Sequence, residues 1–239
     1  MNKNILTKFI QKYNLSGNVE SVKWRSKNKK LSTSFVTEDK TLLGMVNLNN
    51  FDFNNCEIGI NDTAQLNKLL NILEDDVSLS LTELNNKAVS LKVKNGKISF
   101  NYPLTDLSVI GDPPALKHIP NFNTKIKIDN EFINIFIKGK NALSEVDTFT
   151  IISDGDDLNV VIGHSSINSN RINIPVNVIE NNLTENVTFN ASIFKDILVS
   201  NKECSSAVFE ISNEGLSKIN FKIDDYDSTY YMVAIQGNN

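Results

Sequence analysis

Side chains that could carry out acid–base or nucleophilic chemistry are few in this sequence and lie far apart. The 239 residues include two histidines, His118 and His164, and two cysteines, Cys56 and Cys204. No serine-nucleophile motif, phosphate-binding loop, Cys-x-x-Cys pair or His-Glu-x-x-His zinc motif accompanies them. Because free cysteine is most often a buried side chain in a reducing compartment, we expect two reduced core thiols. The sequence therefore predicts a protein that is not an enzyme and has no cofactor.

Three clusters of carboxylates could in principle bind a metal ion. They lie within residues 74–76, 154–157 and 224–227. None has the spacing of an EF-hand loop, and each falls at an expected turn, where aspartate is favoured because it bonds to the backbone. No metal site is predicted.

Lysine is the residue whose placement could support binding. Of the 24 basic residues, 22 are lysine, and only Arg25 and Arg171 are arginine. Arginine is the usual residue for reading base edges, so the composition favours sequence-independent contact with phosphate over base recognition. In the first helical segment Asn4, Lys8 and Gln11 share one face, away from the apolar residues. Similar stripes recur in the other helical segments.

Two interpretations of these stripes stay open at this point. One interpretation is that lysines on a surface helix only solvate it; the other is that four helices with the same bias form a functional basic surface. The net charge of −4 and the pI near 5.3 argue against a protein that coats nucleic acid through bulk positive charge. Acids concentrate at turns, however, so a local basic surface is compatible with that total. The basic stretch from Lys23 to Lys30 receives no assignment.

The elements that must position the lysines are four amphipathic helical segments, which span residues 5–13, 66–73, 132–140 and 193–201. Helix-capping residues precede three of them: Asp62 and Thr63, Asp129 and Asn130, Asn190 and Ser192. Each helix is followed by short β-rich runs separated by turn residues such as Asn95-Gly96. These runs span residues 19–24, 31–36, 42–48, 77–81, 88–93, 97–102, 149–153, 158–164, 206–212, 216–223 and 228–235. The sequence predicts an α+β protein with two similar domains, each packing two helices on antiparallel β-sheet.

Four of the five prolines fall in one segment near the middle of the chain. They are Pro103, Pro113, Pro114 and Pro120. Consecutive prolines donate no backbone hydrogen bonds and exclude a helix or a central strand. We therefore predict an N-terminal domain over residues 1–105, a linker over 106–122 and a C-terminal domain over 123–239.

The whole chain resembles the DNA polymerase sliding clamps of large tailed bacteriophages of the T-even type. The resemblance is carried by the basic N-terminal helix and by FDFNNCEIGINDTAQLNKLLNILEDDVSLSL from Phe51. It continues through the linker YPLTDLSVIGDPPALKHIPNF, the segment IDNEFINIFIKGKNALSEVDTFTII and the closing strand STYYMVAIQ. The resemblance implies the DNA-clamp fold and a homotrimeric ring around duplex DNA. A clamp loader would load this ring to tether the viral DNA polymerase, in the cytoplasm of an infected bacterium.

A ring of twelve helices, four from each subunit, at about 10 Å per helix would leave a hole of roughly 28 Å, wide enough for a hydrated duplex. On this hypothesis lysines face the hole and contact phosphates loosely. The expected DNA-facing residues are Lys3, Lys8, Lys12, Lys68, Lys138, Lys140, Lys195 and Lys202.

The resemblance also implies an apolar pocket beside the linker that accepts a short peptide tail from a partner. The residues expected to line it are Leu107, Val109, Ile110, Leu116, Ile119, Val233 and Ile235. The alternative is that these side chains fix the linker to its own domain. Gly111 and the Pro113-Pro114 pair depart from the family pattern, so they change the expected pocket lining.

A second function remains compatible with the sequence. A non-enzymatic phage structural protein could form a ring or tube from the same domains, with the lysines as ordinary solvated residues. No stretch approaches 18 consecutive apolar residues, so no membrane-spanning segment is predicted. The start, MNKNILTKFI, lacks the long apolar run of a signal peptide.

Overall fold

The computed structural model describes residues 1–74, 76–155, 157–165 and 170–235. Within these ranges it contains four α-helices: α1 (Lys3–Asn14), α2 (Thr63–Asn71), α3 (Asn130–Ala142) and α4 (Ala191–Ser200). No helix in the described ranges is long and apolar enough to cross a membrane.

The chain divides into two compact units. Unit 1 comprises Met1–Thr37 and Gly44–Pro114, and unit 2 comprises Glu38–Leu43 and Ala115–Asn239. The residue bounds predicted for two domains and a linker remain a prediction.

Unit 1 contains helices α1 and α2 and two groups of antiparallel strands. The first group is β1 (Val22–Lys27), β2 (Lys30–Val36), β3 (Leu42–Leu48) and β4 (Cys56–Ile60), which are neighbours in the order β3-β2-β1-β4. The second is β5 (Ser78–Leu84), β6 (Lys87–Asn95) and β7 (Ile98–Pro103), in the order β5-β6-β7. The β6–β7 hairpin turns at Gly96, whose φ of +54° favours glycine.

Unit 2 contains α3 and α4 and also has two groups of strands. The first group has the order β12-β8-β14-β15-β16 and consists of β8 (Thr124–Asp129), β12 (Asn177–Glu180), β14 (Ser206–Ile211), β15 (Leu216–Ile223) and β16 (Tyr226–Val233). The second group has the order β11-β10-β9-β13 and consists of β9 (Thr148–Asp154), β10 (Asp157–Ile162), β11 (Ile172–Pro175) and β13 (Val187–Asn190).

Each unit buries the apolar face of its helices with an aromatic cluster. In unit 1, Phe9 and Tyr13 of α1 meet Trp24 edge-to-face, with ring centroids 5.7 and 6.4 Å from Trp24. In unit 2, Phe136 of α3 and Phe194 of α4 lie 4.9 Å apart. These contacts explain why the apolar stripes of α1, α3 and α4 face inward.

The predicted helices are confirmed, and so is the α+β fold class with antiparallel sheets. Sequence reasoning missed the strands β4, β8, β11, β12 and β13, which have four to six residues each. Three predicted runs are displaced: residues 19–24, 158–164 and 228–235 correspond to strands at Val22–Lys27, Asp157–Ile162 and Tyr226–Val233. The missed strands are short, so their alternation of apolar and polar residues is too brief to distinguish them from loops in the sequence.

Candidate nucleic-acid interface

Capping side chains fix where the four helices start. Asn2 Oδ1 accepts a hydrogen bond from Asn4 N at 2.8 Å at the start of α1. The predicted caps Asp62, Asp129 and Asn190 each accept a bond from the backbone N–H three residues later, at 2.8, 3.0 and 2.9 Å. Each bond satisfies one of the backbone donors left open at a helix start, so the register of the exposed face is set by the sequence.

Helix α1 shows the predicted two-sided character. Its buried side includes Phe9 and Tyr13, while Asn4, Lys8 and Gln11 are exposed. The same spacing appears in α3, where Asn134, Lys138 and Asn141 are exposed, and Lys68 is exposed on α2. Lysine thus occupies the solvent face of three helices.

The eight predicted DNA-facing lysines divide into three groups by exposure. Lys8, Lys68, Lys138 and Lys202 are exposed. Lys3 and Lys195 are half-buried: Lys3 Nζ donates to the carbonyl of Leu73, and Lys195 Nζ lies 3.7 Å from Asp196 Oδ1. These two ammonium groups already have partners on the protein and are less available to phosphate.

The placement of Lys12 and Lys140 on the solvent face is wrong. Lys12 is 0% exposed and Lys140 is 5% exposed. Lys140 Nζ donates to the carbonyl of Ser144 at 2.8 Å. Both lysines lie in the last turn of their helices, where a cation is stabilised by the open carbonyls and the helix dipole. Helical spacing alone did not predict that the side chains of Lys12 and Lys140 are buried.

The exposed faces of the helices contain almost no acid. Asp196 of α4 is 9% exposed and so belongs to the core side of that helix. Among the residues of α1 to α4, the exposed carboxylate is Glu131, in the first turn of α3. An exposed surface with Lys8, Lys68 and Lys138 and so little negative charge can attract phosphate groups.

The first part of the predicted linker is attached to unit 1. Thr105 N donates to Gly59 O at 3.0 Å, and Asp106 caps a short 3-10 turn, Leu107–Val109, by accepting from Ser108 N. The bonds from Ser108, together with nearby Lys87, hold the pKa of the Asp106 carboxyl below its ordinary value.

A cluster of ion pairs also fixes the linker at Asp112. Asp112 accepts from Lys23 Nζ at 3.0 Å and from an Arg25 guanidinium nitrogen at 2.6 Å, while Arg25 Nε also bonds to Glu57 at 2.7 Å. The Lys23 and Arg25 contacts lower the pKa of the Asp112 carboxyl. Two members of the basic stretch that received no assignment therefore anchor the linker.

The predicted pocket residues are not all equivalent. Ile110 is 7% exposed, and its Cδ1 lies 3.2 Å from where a Cβ on Gly59 would be. Leu107 lines a cleft of about 260 Å³ beside Gly59 and Thr105. Ile110 thus fixes the linker to unit 1, as the alternative interpretation expected.

The other pocket candidates are exposed within their own units. Val109 in unit 1 is 74% exposed. The candidates in unit 2 are Leu116, Ile119, Val233 and Ile235, which are 36%, 50%, 49% and 39% exposed. The backbone N–H of Ile235 donates a hydrogen bond to Thr188 O at 2.8 Å, so this residue is held on β13.

Within the described residues, no group of three or more histidine, cysteine or acidic side chains could hold a metal ion. The imidazole of His118 lies 3.8 Å from the Glu214 carboxylate, and both side chains are largely exposed.

The fold is that of two solved clamp structures. The chain is similar to Proliferating Cellular Nuclear Antigen (PCNA) from Entamoeba histolytica, with a TM-score of 0.76, 14% identity and coverage of 98% of this chain and 96% of the other. It is also similar to A. fulgidus PCNA, solved with the C-terminal region of FEN-1 bound, with a TM-score of 0.77, 15% identity and coverage of 100% and 98%. No family model and no curated protein sequence matches the chain. The chain therefore has the PCNA clamp fold, as predicted.

Proposed function

We propose that this protein is a sliding clamp that encircles duplex DNA and tethers a replicative DNA polymerase. The observation that carries the proposal is the clamp fold over nearly the whole chain, combined with lysine on the exposed faces of its helices. Neither half of this observation is sufficient alone, because a fold hosts several functions and surface lysines are common.

The exposed lysines Lys8, Lys68 and Lys138 suit a clamp because they can contact phosphates without reading bases. Lysine is a flexible point charge, whereas arginine forms rigid two-pronged contacts. Loose contacts of this kind attract the duplex and let it slide. A clamp acts as a scaffold, so this function requires no catalytic residue.

The complete proposal is a homotrimer that a clamp loader places on DNA in the cytoplasm of an infected bacterium, as in T-even-type phages. It rests on the sequence segments that resemble that family. The solved complex of A. fulgidus PCNA with the C-terminal region of FEN-1 supports the idea that a partner inserts a short tail. On this chain we place that tail at the exposed apolar residues of unit 2, which are Leu116, Ile119, Val233 and Ile235.

The proposal is tested by reversing the charge of Lys8, Lys68 and Lys138 to glutamate together. We expect the folded variant to lose most of its stimulation of polymerase processivity on primed circular DNA. The matched control reverses Lys27, Lys30 and Lys222, three exposed lysines on strands, with the same change in net charge. Unchanged stimulation in the helix variant, or equal losses in both, would contradict the proposal.

A further inference from the structure

The three-stranded sheet β5-β6-β7 has one face made of lysine and small polar residues, with one proline at its edge. The ladder registers align Ser78 with Lys94 and Ser99, and Ser80 with Lys92 and Asn101. A third row aligns Thr82 with Ser90 and Pro103. We call these nine residues the lysine–hydroxyl face.

This face is open to solvent, and the centre of the opposite face of the same sheet is buried. All nine residues are exposed except Ser90, which is half-buried. On the opposite face Leu91, Val93 and Tyr102 are at most 2% exposed. Because side chains alternate along a strand, the burial of one set requires the other set to face outward.

Among the described residues, no ion pair neutralises the positive charge on the lysine–hydroxyl face. The face has no carboxylate, and no ion pair within the described ranges involves Lys92, Lys94 or Lys97, which follows at the β6–β7 turn. The two lysines on β6 are two residues apart, which places their Cα atoms about 6.7 Å from each other. Two like charges held this close favour an anionic partner.

The corresponding strands of unit 2 carry a different charge pattern. In β15, Lys218 Nζ bonds to Glu210 Oε2 at 2.7 Å, and Lys222 is the register partner of Asp227. In β8, Lys125 Nζ bonds to Glu180 Oε2 at 2.8 Å. Lys125 and Lys218 thus have acidic partners within hydrogen-bond distance, and Lys92 and Lys94 have no equivalent ion pair among the described residues.

The residue types on the lysine–hydroxyl face match those that contact the phosphates and sugars of nucleic acid. Lysine, serine, threonine and asparagine supply such contacts and carry no sequence information when they do. The face has no aromatic side chain for stacking on bases. It also lacks the large apolar or aromatic anchors that dominate protein–protein interfaces. A nucleic-acid backbone therefore fits it better than an acidic protein segment.

We propose that the lysine–hydroxyl face binds the phosphate backbone of duplex DNA, at a site separate from the helix lysines and without reading sequence. The inference does not depend on the clamp function, because it rests on the register and charge of one sheet. It gives unit 1 a second surface that can hold DNA.

The test compares Lys92→Gln/Lys94→Gln with Lys125→Gln/Lys218→Gln, which removes the same charge from ion-paired strand lysines. Both are made in the full chain, alone and combined with the Lys8, Lys68 and Lys138 reversals. Fluorescence anisotropy with a short linear duplex then gives the affinity between 50 and 200 mM salt, and thermal melting verifies folding.

Each lost phosphate contact flattens the plot of log affinity against log salt by about 1. We expect Lys92→Gln/Lys94→Gln to flatten it by about 2 in both backgrounds, and the control to leave it unchanged. Equal slopes in the two variants would overturn the proposal. It would also be overturned if the lysine pair affected binding of a poly-glutamate peptide but not of the duplex. If Lys92→Gln/Lys94→Gln flattens the plot even when Lys8, Lys68 and Lys138 are reversed, the sheet binds DNA independently of the helix lysines. That result would hold whether or not the protein is a sliding clamp.

Discussion

Units 1 and 2 repeat one structural plan but differ in what they expose. In each unit a helix is followed by three antiparallel strands, α2-β5-β6-β7 in unit 1 and α4-β14-β15-β16 in unit 2. Lys92 and Lys94 on the lysine–hydroxyl face of β5-β6-β7 have no ion pair among the described residues, whereas Lys218 in β15 is paired with Glu210. The same fold can therefore carry an available cationic surface or a neutralised one, and cross-strand pairing decides which.

The cores of the two units differ as well. In unit 1, the buried Tyr13 hydroxyl lies 3.3 Å from Thr63 Oγ1, and burial raises the pKa of this tyrosine. In unit 2, Phe194 lies 4.8 to 5.0 Å from three other phenylalanine rings. The helices of unit 1 thus meet partly through a polar contact, while those of unit 2 meet through phenylalanine rings.

The largest effect is expected from Phe194→Ala in unit 2. The substitution removes a fully buried ring that contacts Phe136, Phe149 and Phe209, so the free energy of unfolding should fall by about 3–5 kcal/mol. Urea unfolding measures the loss. Val199→Ala, on the exposed side of the same helix, is the control and should change the stability little. A loss below about 1 kcal/mol for Phe194→Ala would show that the phenylalanine cluster does not hold unit 2 together.

A smaller effect is expected where the linker meets unit 1. A Cβ on Gly59 would lie 2.5 Å from the carbonyl oxygen of Thr105, so Gly59→Ala must displace backbone and should destabilise by about 1–3 kcal/mol. Limited proteolysis should then cut near Thr105 faster than in the wild type. Gly111→Ala provides the control, since nothing lies within 4 Å of its Cβ position. Equal cutting of the two variants would mean that the linker is not fixed through Gly59.

The smallest effect tests the charge comparison directly. Lys218→Gln breaks the bond to Glu210 and should lower the free energy of unfolding by about 0.5 kcal/mol. Lys92→Gln breaks no ion pair among the described residues and separates no opposite charges, so its stability should stay equal or rise slightly. Chemical unfolding at low salt resolves the pair of variants. If Lys92→Gln lowered the free energy of unfolding as much as Lys218→Gln, Lys92 and Lys218 would not differ in ion pairing.

The helices were predictable because their apolar spacing and their caps agree, as at Asp129 and α3. Lys8 and Lys138 were predictable as exposed residues for the same reason. The burial of Lys12 and Lys140 was not, since it depends on how the last turn of each helix meets the rest of its unit. The lysine–hydroxyl face was also missed. The alternation around Lys92 is visible in the sequence, but which residues lie opposite Lys92 and Lys94 depends on cross-strand register.

The most direct measurement for the clamp function is topological. A linear duplex incubated with the protein is ligated into a circle, and the complex is passed over a gel-filtration column in high salt. High salt weakens phosphate contacts steeply, so only a linked ring should remain bound. A protein that encircles DNA should co-elute with the circle and be released once a restriction enzyme cuts the circle. Equal release from circular and linear DNA would contradict the claim that the protein encircles DNA.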